Sequence, residues 1–247
     1  MRDLGEPPVD LLRGGSLFLD FDGTLVDLAP TPDAIQVSNA LRELLVRLNY
    51  SLHGRVALLS GRSVSDLLGH LHPVTLTMAG SHGLERARLG DEIVAPAVPE
   101  GLSEAIHVLR GVQDHYPAVL VEEKPFGVAV HFRMAPEAEE ACRFAATEVA
   151  SETGMVVQAG KMVFELKPPT GTKGGALRSF MAEPPFLTTR PIFLGDDLTD
   201  EHGFEAANDL GGAGILVGEE RTTAAMYRLA NVRAARDWLN AACEALA

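Results

Sequence analysis

The chain has 247 residues, enough for one large or two small domains, and 46% hydrophobic with 22% charged residues describes a globule with a sizeable core rather than a disordered tail. Thirty-four Asp and Glu against twenty-one Lys and Arg leave a net charge of −13, which repels a phosphate backbone and gives no electrostatic footprint for nucleic acid, so any phosphate site must be local. Asp3, Glu6 and Asp10 fall where a signal peptide needs a basic start and an apolar stretch, and no later run reaches membrane-spanning length; a cytoplasmic protein without membrane association is expected.

From Leu17 to about Ala79, apolar runs with the character of buried strands alternate with segments of helical period, the pattern of a doubly wound, Rossmann-like α/β parallel sheet. Strands are predicted at Leu17–Leu19, Val56–Leu59 and Leu76–Ala79. Leu41, Leu44, Leu45 and Leu48 line one face of a helix between the first two strands, and Ser63–Leu71 reads as a second helix opened by a serine cap. A hairpin is predicted over Leu84–Val94, turning at Gly90-Asp91. After an interruption the theme resumes with a strand at Ile192–Leu194, a helix from about Glu201, a strand at Gly214–Val217, and helices near Thr223–Leu229 and Arg236–Leu246. Cys142 and Cys243 each fall inside a predicted helix, which argues against a disulfide framework or a cysteine metal site.

Two proline-rich stretches, Ala95-Pro96-Ala97-Val98-Pro99 and Lys167-Pro168-Pro169-Thr170-Gly171, bracket the interruption and read as hinges. The expected division is a core of residues 1–98 and 167–247 with an inserted α+β domain at 99–166. The insert reads as helix Gly101–His115, strands Val119–Glu123 and Gly127–Arg133, helix Glu137–Glu152, and strands Met155–Gln158 and Met162–Leu166. Side chains two apart on a strand share a face. Met162, Phe164 and Leu166 therefore oppose Lys161 and Glu165, Val128, Val130 and Phe132 oppose His131 and Arg133, and Glu122 shares a face with Lys124. One face is apolar and the other charged, a pattern that fits a half-solvated sheet with salt bridges as well as a binding face.

Chemistry concentrates where strands end. Ser16–Leu25 carries an apolar strand straight into Asp20 and Asp22 and then Gly23. Like charges so close disfavour joint ionisation unless a cation or a raised pKa offsets them, although Asp-x-Asp-Gly by itself also marks turns and calcium loops. The next strand ends in Ser60-Gly61-Arg62, a hydroxyl and a backbone amide at the edge where α/β sheets place ligands. Gly171-Thr172-Lys173-Gly174-Gly175 is a glycine-rich helix entry with one lysine, suited to an anion but without the residue order of a nucleotide-binding P-loop. Gly195-Asp196-Asp197-Leu198-Thr199-Asp200 repeats the opening theme. If these strand ends lie side by side, Asp20 and Asp196 can meet a magnesium ion, and Ser60, Gly61 and Lys173 can hold phosphate. Asp20 can then attack phosphorus while Asp22 shuttles the proton.

In order, Asp20-Phe21-Asp22-Gly23-Thr24, Ser60-Gly61-Arg62, Lys173 and Gly195-Asp196-Asp197 resemble the four motifs of the haloacid-dehalogenase-like phosphatases. The second aspartate resembles that of phosphatases and mutases rather than that of the transport ATPases, which carry Thr there. The resemblance adds Asp22 to the Mg2+ ligands, with Asp197 and Asp200 supporting them. Within that superfamily the insert is similar to the cap of trehalose-6-phosphate phosphatases, through Glu122-Glu123-Lys124, Val128–Arg133 and Gly160–Pro168. The likeness implies that Glu122, Lys124, Arg133 and Glu165 hold sugar hydroxyls and that the cap closes over the disaccharide. Gly80-Ser81-His82-Gly83 resembles a core loop that touches substrate and usually reads Gly-Asn-His-Gly, so Arg62, Gly80, His82 and Gly83 join the expected substrate residues while Ser81 departs from the pattern. The expected activity is hydrolysis of trehalose 6-phosphate. Other sugar phosphates, such as a sucrose phosphate or mannosyl-phosphoglycerate, and a non-catalytic sugar-phosphate sensor are the alternatives. A small-molecule sugar phosphate is the expected partner, and a monomer the default state.

Overall fold

A computed structural model of the chain describes residues 4–31, 34–88 and 92–246. It divides into two compact units, Met1–Ala95 with Thr172–Ala247, and Pro96–Gly171. In chain order the first unit opens with β1 (Gly15–Leu19), α1 (Asn39–Ser51), β2 (Val56–Leu59), α2 (Val64–Leu71), β3 (Thr77–Gly80) and β4 (Glu85–Ala87). The second unit follows with α3 (Leu102–His115), β5 (Leu120–Lys124), β6 (Gly127–His131), α4 (Glu139–Thr153), β7 (Val156–Gly160) and β8 (Val163–Lys167). The first unit is then completed by α5 (Lys173–Met181), β9 (Arg190–Gly195), α6 (Glu201–Asp209), β10 (Ala213–Val217), β11 (Tyr227–Leu229) and α7 (Val232–Ala245).

The first unit holds a seven-stranded sheet in the order β11-β10-β9-β1-β2-β3-β4. All neighbours are parallel except β3 and β4. Successive side chains leave opposite faces, and both faces are covered. Leu17, Leu19, Leu58 and Ile215 enter one hydrophobic cluster with Leu41, Leu44, Leu45 and Leu48 of α1 and Leu239 of α7. Phe18, Leu59, Phe193 and Leu216 enter the other with Leu177 and Phe180 of α5 and Phe204 of α6. This is the doubly wound α/β core that the sequence pattern implies, and burial on both sides is why its strands read as unbroken apolar runs. The helices start as their caps dictate, with Leu41 N donating to Ser38 Oγ (3.2 Å) and Asp66 N to Ser63 Oγ (3.2 Å).

The second unit is a four-stranded antiparallel sheet, β5-β6-β8-β7, with α3 and α4 packed on its apolar face. Val128, Val130, Phe164 and Leu166 meet Leu109, Cys142, Ala146 and Val149 there.

Three local expectations change. The segment 223–229 is not a helix: Tyr227–Leu229 pairs in parallel with Ile215–Val217, and this added edge strand outweighs the weak helical spacing of its alanines. Of the hairpin over 84–94, β4 and an Arg86–Val94 bridge are present, and its turn at Gly90-Asp91 lies outside the described residues. The division of the chain falls at Ala95/Pro96 and Gly171/Thr172 rather than at 98/99 and 166/167, because β8 continues through Lys167, whose Nζ donates to Gly171 O (2.9 Å).

Register then positions the site. Leu19 pairs with Leu58 on one side and Leu194 on the other, so β1, β2 and β9 finish together. Asp20 N still donates to Leu194 O (2.9 Å) and Ser60 N to Ala79 O (2.9 Å). The polar residues that follow all emerge at one carboxyl edge, beside the central strand, where this class of sheet carries its ligands.

Candidate active site

Asp20 is the first residue beyond β1 and is only 3% exposed. Its carboxylate accepts from Lys173 Nζ at Oδ1 (2.5 Å) and from Thr24 Oγ1 at Oδ2 (3.0 Å). Lys173, the first residue of α5, also donates to Asp200 Oδ1 (2.6 Å). Asp200 turns its second oxygen to the amides of Asp196 and Asp197 (2.9 Å each), which fixes the loop after β9. Burial drives the Asp20 carboxyl well above the usual carboxylate range; Lys173 pulls it down, while Asp200 and Asp196 push it further up. Burial alone would lower the Lys173 ammonium, but Asp20 and Asp200 overcome it and hold the lysine charged. Three carboxyls, buried Asp20 and Asp200 and half-buried Asp196, gather in excess over the one ammonium of Lys173.

That excess is what a cation would offset. Asp20, Asp196 and Asp200 each offer an oxygen, all within 4.8 Å of one another. An all-oxygen carboxylate set suits a hard divalent ion. Gly23 keeps the set close: it sits at φ +82°, and a Cβ there would fall on the Asp196 carboxylate. Asp22, expected among the ligands, lies outside this group. Its carboxylate is taken by Arg62 in a two-pronged pair, Nε to Oδ2 (2.7 Å) and Nη2 to Oδ1 (2.8 Å), and Asp200 completes the group in its place. Arg62, expected at substrate, thus faces the second aspartate; burial would lower its guanidinium, and Asp22 with Asp66 raises it instead. Asp197 caps the turn leading to α6, accepting from Leu198 N (2.7 Å).

Ser60, 1% exposed, accepts from Arg62 N at Oγ (3.1 Å), which leaves its hydroxyl proton to donate. Gly61 lies flat against the His82 ring, which an added Cβ would meet at 2.8 Å. His82 has φ +57° and donates its amide to Ser60 O (2.9 Å), so the 80–83 loop brings this ring onto the Ser60-Gly61 segment. Gly80 closes β3 and Gly83 ends the turn. Ser81, the departure from the family pattern, serves the loop: its amide donates to Arg62 O (2.7 Å) and its hydroxyl to Glu85 Oε2 (2.9 Å). Neither Glu85 nor Thr24 is singled out by the sequence; Thr24 is signalled only by its place in the first motif, and Glu85 only by following the 80–83 loop. Glu201 is likewise structural, accepting from Thr223 Oγ1 (2.8 Å) and Ala224 N (2.7 Å) and pairing with Arg221.

On the second unit, pairing of Glu122 with Ala129, Ala129 with Glu165, and Glu165 with Gln158 sets one polar row across the sheet. Lys124 Nζ donates to Glu165 Oε2 (2.8 Å), and His131 Nε2 lies 2.8 Å from Glu122 Oε2. Burial would raise the Glu122 carboxyl, but His131 and Lys124 hold it below its ordinary value. His131, given no role from the sequence, is the partner that shapes Glu122. Arg133, just beyond β6, donates to Lys161 O (3.3 Å). Glu122, Lys124 and Glu165 therefore share the charged face that alternation assigns them.

Comparison with known proteins gives the family of the chain. A family model described as trehalose-phosphatase matches residues 18–233. The chain belongs to the trehalose-phosphatase family. It is 38% identical over 231 residues to the trehalose-6-phosphate phosphatase of Escherichia coli K12, covering 93% of this chain and 86% of that relative. It is 37% identical over 211 residues to a probable trehalose-phosphate phosphatase of Sinorhizobium fredii, covering 84% and 79%. The fold matches that of the C-terminal domain of a Candida albicans trehalose-6-phosphate phosphatase with a TM-score of 0.88 at 20% identity, covering 98% and 99% of the two chains. The matched span contains both strand-end carboxylate pairs, Lys173 and the whole second unit, so the family is one of phosphatases and the chain is an enzyme of that class. No helix among the described residues is long and apolar enough to cross a membrane.

Proposed function

We propose that the protein hydrolyses trehalose 6-phosphate to trehalose and phosphate through an aspartyl-phosphate on Asp20. The observation that carries this reading is the buried Asp20–Lys173–Asp200 group at the end of the central strand, in a chain of the trehalose-phosphatase family. Lys173, the Ser60 hydroxyl and the Gly61 amide bind the phosphoryl oxygens. Lys173 holds one Asp20 oxygen and Thr24 the other, so the carboxylate is fixed in orientation before attack. An Asp20 oxygen forms a bond to phosphorus as the bond to the sugar oxygen breaks, and Asp22 gives that oxygen a proton. The Arg62 fork stabilises the carboxylate left on Asp22. In the second half Asp22 takes a proton from water, the water oxygen bonds to phosphorus, and the Asp20–phosphorus bond breaks to return the carboxylate and inorganic phosphate.

Asp20 and Asp196, with Asp200 beside them, would hold Mg2+. The ion, when bound, supplies neutralisation of the charge spread over the transferring phosphoryl group. Glu122, Lys124, Arg133 and Glu165 of the second unit are assigned to the sugar hydroxyls. Paired carboxylates and ammonium groups are good acceptors and donors for a polyol, and Lys124–Glu165 and Glu122–His131 are already held in place by each other. A cytoplasmic site of action accords with two buried, unbridged cysteines, Cys142 and Cys243.

The test is phosphate release from trehalose 6-phosphate, sucrose 6-phosphate, glucose 6-phosphate and mannosyl-phosphoglycerate in parallel, each with magnesium and with a chelator. Magnesium-dependent release from the trehalose ester alone is the expected result. Preference for another ester would overturn the substrate and keep the chemistry, and no release from any would overturn both in favour of a sugar-phosphate sensor.

A further inference from the structure

Arg62 is gripped from both sides. Its Nε and Nη2 hold Asp22, while Nη1 donates to Asp66 Oδ2 (2.7 Å) and lies 3.4 Å from His70 Nε2. Residues 62, 66 and 70 follow at intervals of one helical turn, so the start and end of α2 present Asp66 and His70 to the same guanidinium. His70 Nε2 is also 3.4 Å from Asp66 Oδ1, so the imidazole packs against both members of the Arg62–Asp66 pair. The base of the arrangement is fixed as well. Glu85 Oε2 accepts from Val64 N (3.0 Å) and Ser81 Oγ (2.9 Å), and Arg62 O accepts from Ser81 N (2.7 Å), so backbone and side chain of Arg62 are both anchored.

We infer that Asp66, braced by His70 and acting through Arg62, is a positioning residue for the proton-shuttling Asp22. A guanidinium bound only by Asp22 would be free to swing with it; the second carboxylate turns the fork into a fixed platform with both Asp22 oxygens in one plane. This inference rests on Asp22 being the acid and base of the reaction. Asp66 touches no reacting atom and its side chain is 38% exposed; its replacement leaves the buried Arg62 guanidinium still paired with Asp22.

The two half-reactions separate this role from a structural one. An aryl phosphate with a good leaving group needs little help from Asp22 to phosphorylate Asp20, whereas hydrolysis of the phosphoenzyme still needs Asp22 to activate water. The experiment is rapid-mixing kinetics of magnesium-loaded enzyme with p-nitrophenyl phosphate, for wild type, Asp66→Asn, Arg62→Lys and Asp22→Asn. For Asp66→Asn and Arg62→Lys the expected result is a nitrophenol burst equal to the enzyme concentration and within about twofold of the wild-type rate, followed by a steady state slowed about tenfold or more. A wild-type steady state in Asp66→Asn, or equal slowing of burst and steady state, overturns the positioning role. Asp22→Asn keeps the two levels apart: if it turns over at the wild-type rate, the acid–base reading itself fails, whereas a slowed Asp22→Asn beside an unaffected Asp66→Asn rejects the bracket alone.

Discussion

The edge of the core sheet and the charged face of the second unit's sheet are both polar clusters built from carboxylates and cations, yet they differ in how the charge is held. At the core edge Asp20, Lys173 and Asp200 are all nearly inaccessible, and each residue of the group bonds at least two others or the backbone between them. On the second unit Lys124–Glu165 and Glu122–His131 are separate cross-strand pairs, the latter with side chains 25–30% exposed. Buried, unbalanced charge is costly to assemble and reactive once assembled, while half-buried pairs cost little and present directional hydrogen-bonding groups. The first arrangement suits bond-making at phosphorus; the second suits recognition of hydroxyls. Substitutions in the two places should therefore fail in different ways.

The largest effect is expected at Asp20. Asp20→Asn cannot form an acyl-phosphate, and turnover of every substrate should fall about 10⁴-fold or more with the fold retained, as checked by circular dichroism; turnover near wild type would remove the covalent chemistry from the core edge. On the second unit, Glu122→Ala and Arg133→Ala are each expected to raise KM for the disaccharide ester about 10–100-fold while leaving an aryl phosphate unaffected. Equal changes for both substrates would erase the division of labour. Metal binding should sharpen the contrast from the core side. Burial raises the Asp20 carboxyl above the ordinary range, and a cation needs the carboxylate, so calorimetry on metal-stripped enzyme should show Mg2+ affinity weakening as the pH is lowered from neutral. Affinity that stays flat would detach Asp20 from the metal set. The smallest effect is structural: Lys124→Met removes the ammonium that donates to Glu165, whose side chain is 11% exposed, and should destabilise the protein by about 1–3 kcal/mol, read as a lowered Tm.

Residues that end strands were the ones open to reading from the sequence. Asp20, Ser60 and Asp196 stand out because a continuous apolar run stops at a polar residue, and parallel pairing brings such stops to one edge. Five parallel strands of the core were legible for the same reason, and the antiparallel unit through its alternation. What escaped was held by tertiary contact alone. Asp66 and His70 look like ordinary polar positions on α2, with nothing local to mark that Arg62 reaches them. Tyr227–Leu229 becomes a strand only because β10 offers an open parallel edge. Asp22 enters the metal set only through the family resemblance, and the position of Arg62, supplied by the neighbouring strand's loop, shows where its carboxylate is held.

The covalent step on Asp20 is tested most directly by acid-quenching magnesium-loaded Asp22→Asn with p-nitrophenyl phosphate, whose leaving group needs no acid, and mapping the chain by mass spectrometry. One phosphoryl group on the peptide spanning Ser16–Leu25, localised to Asp20, is the expected result. A chain with no added phosphoryl group, or one carrying it at Ser60 or elsewhere, would contradict the mechanism.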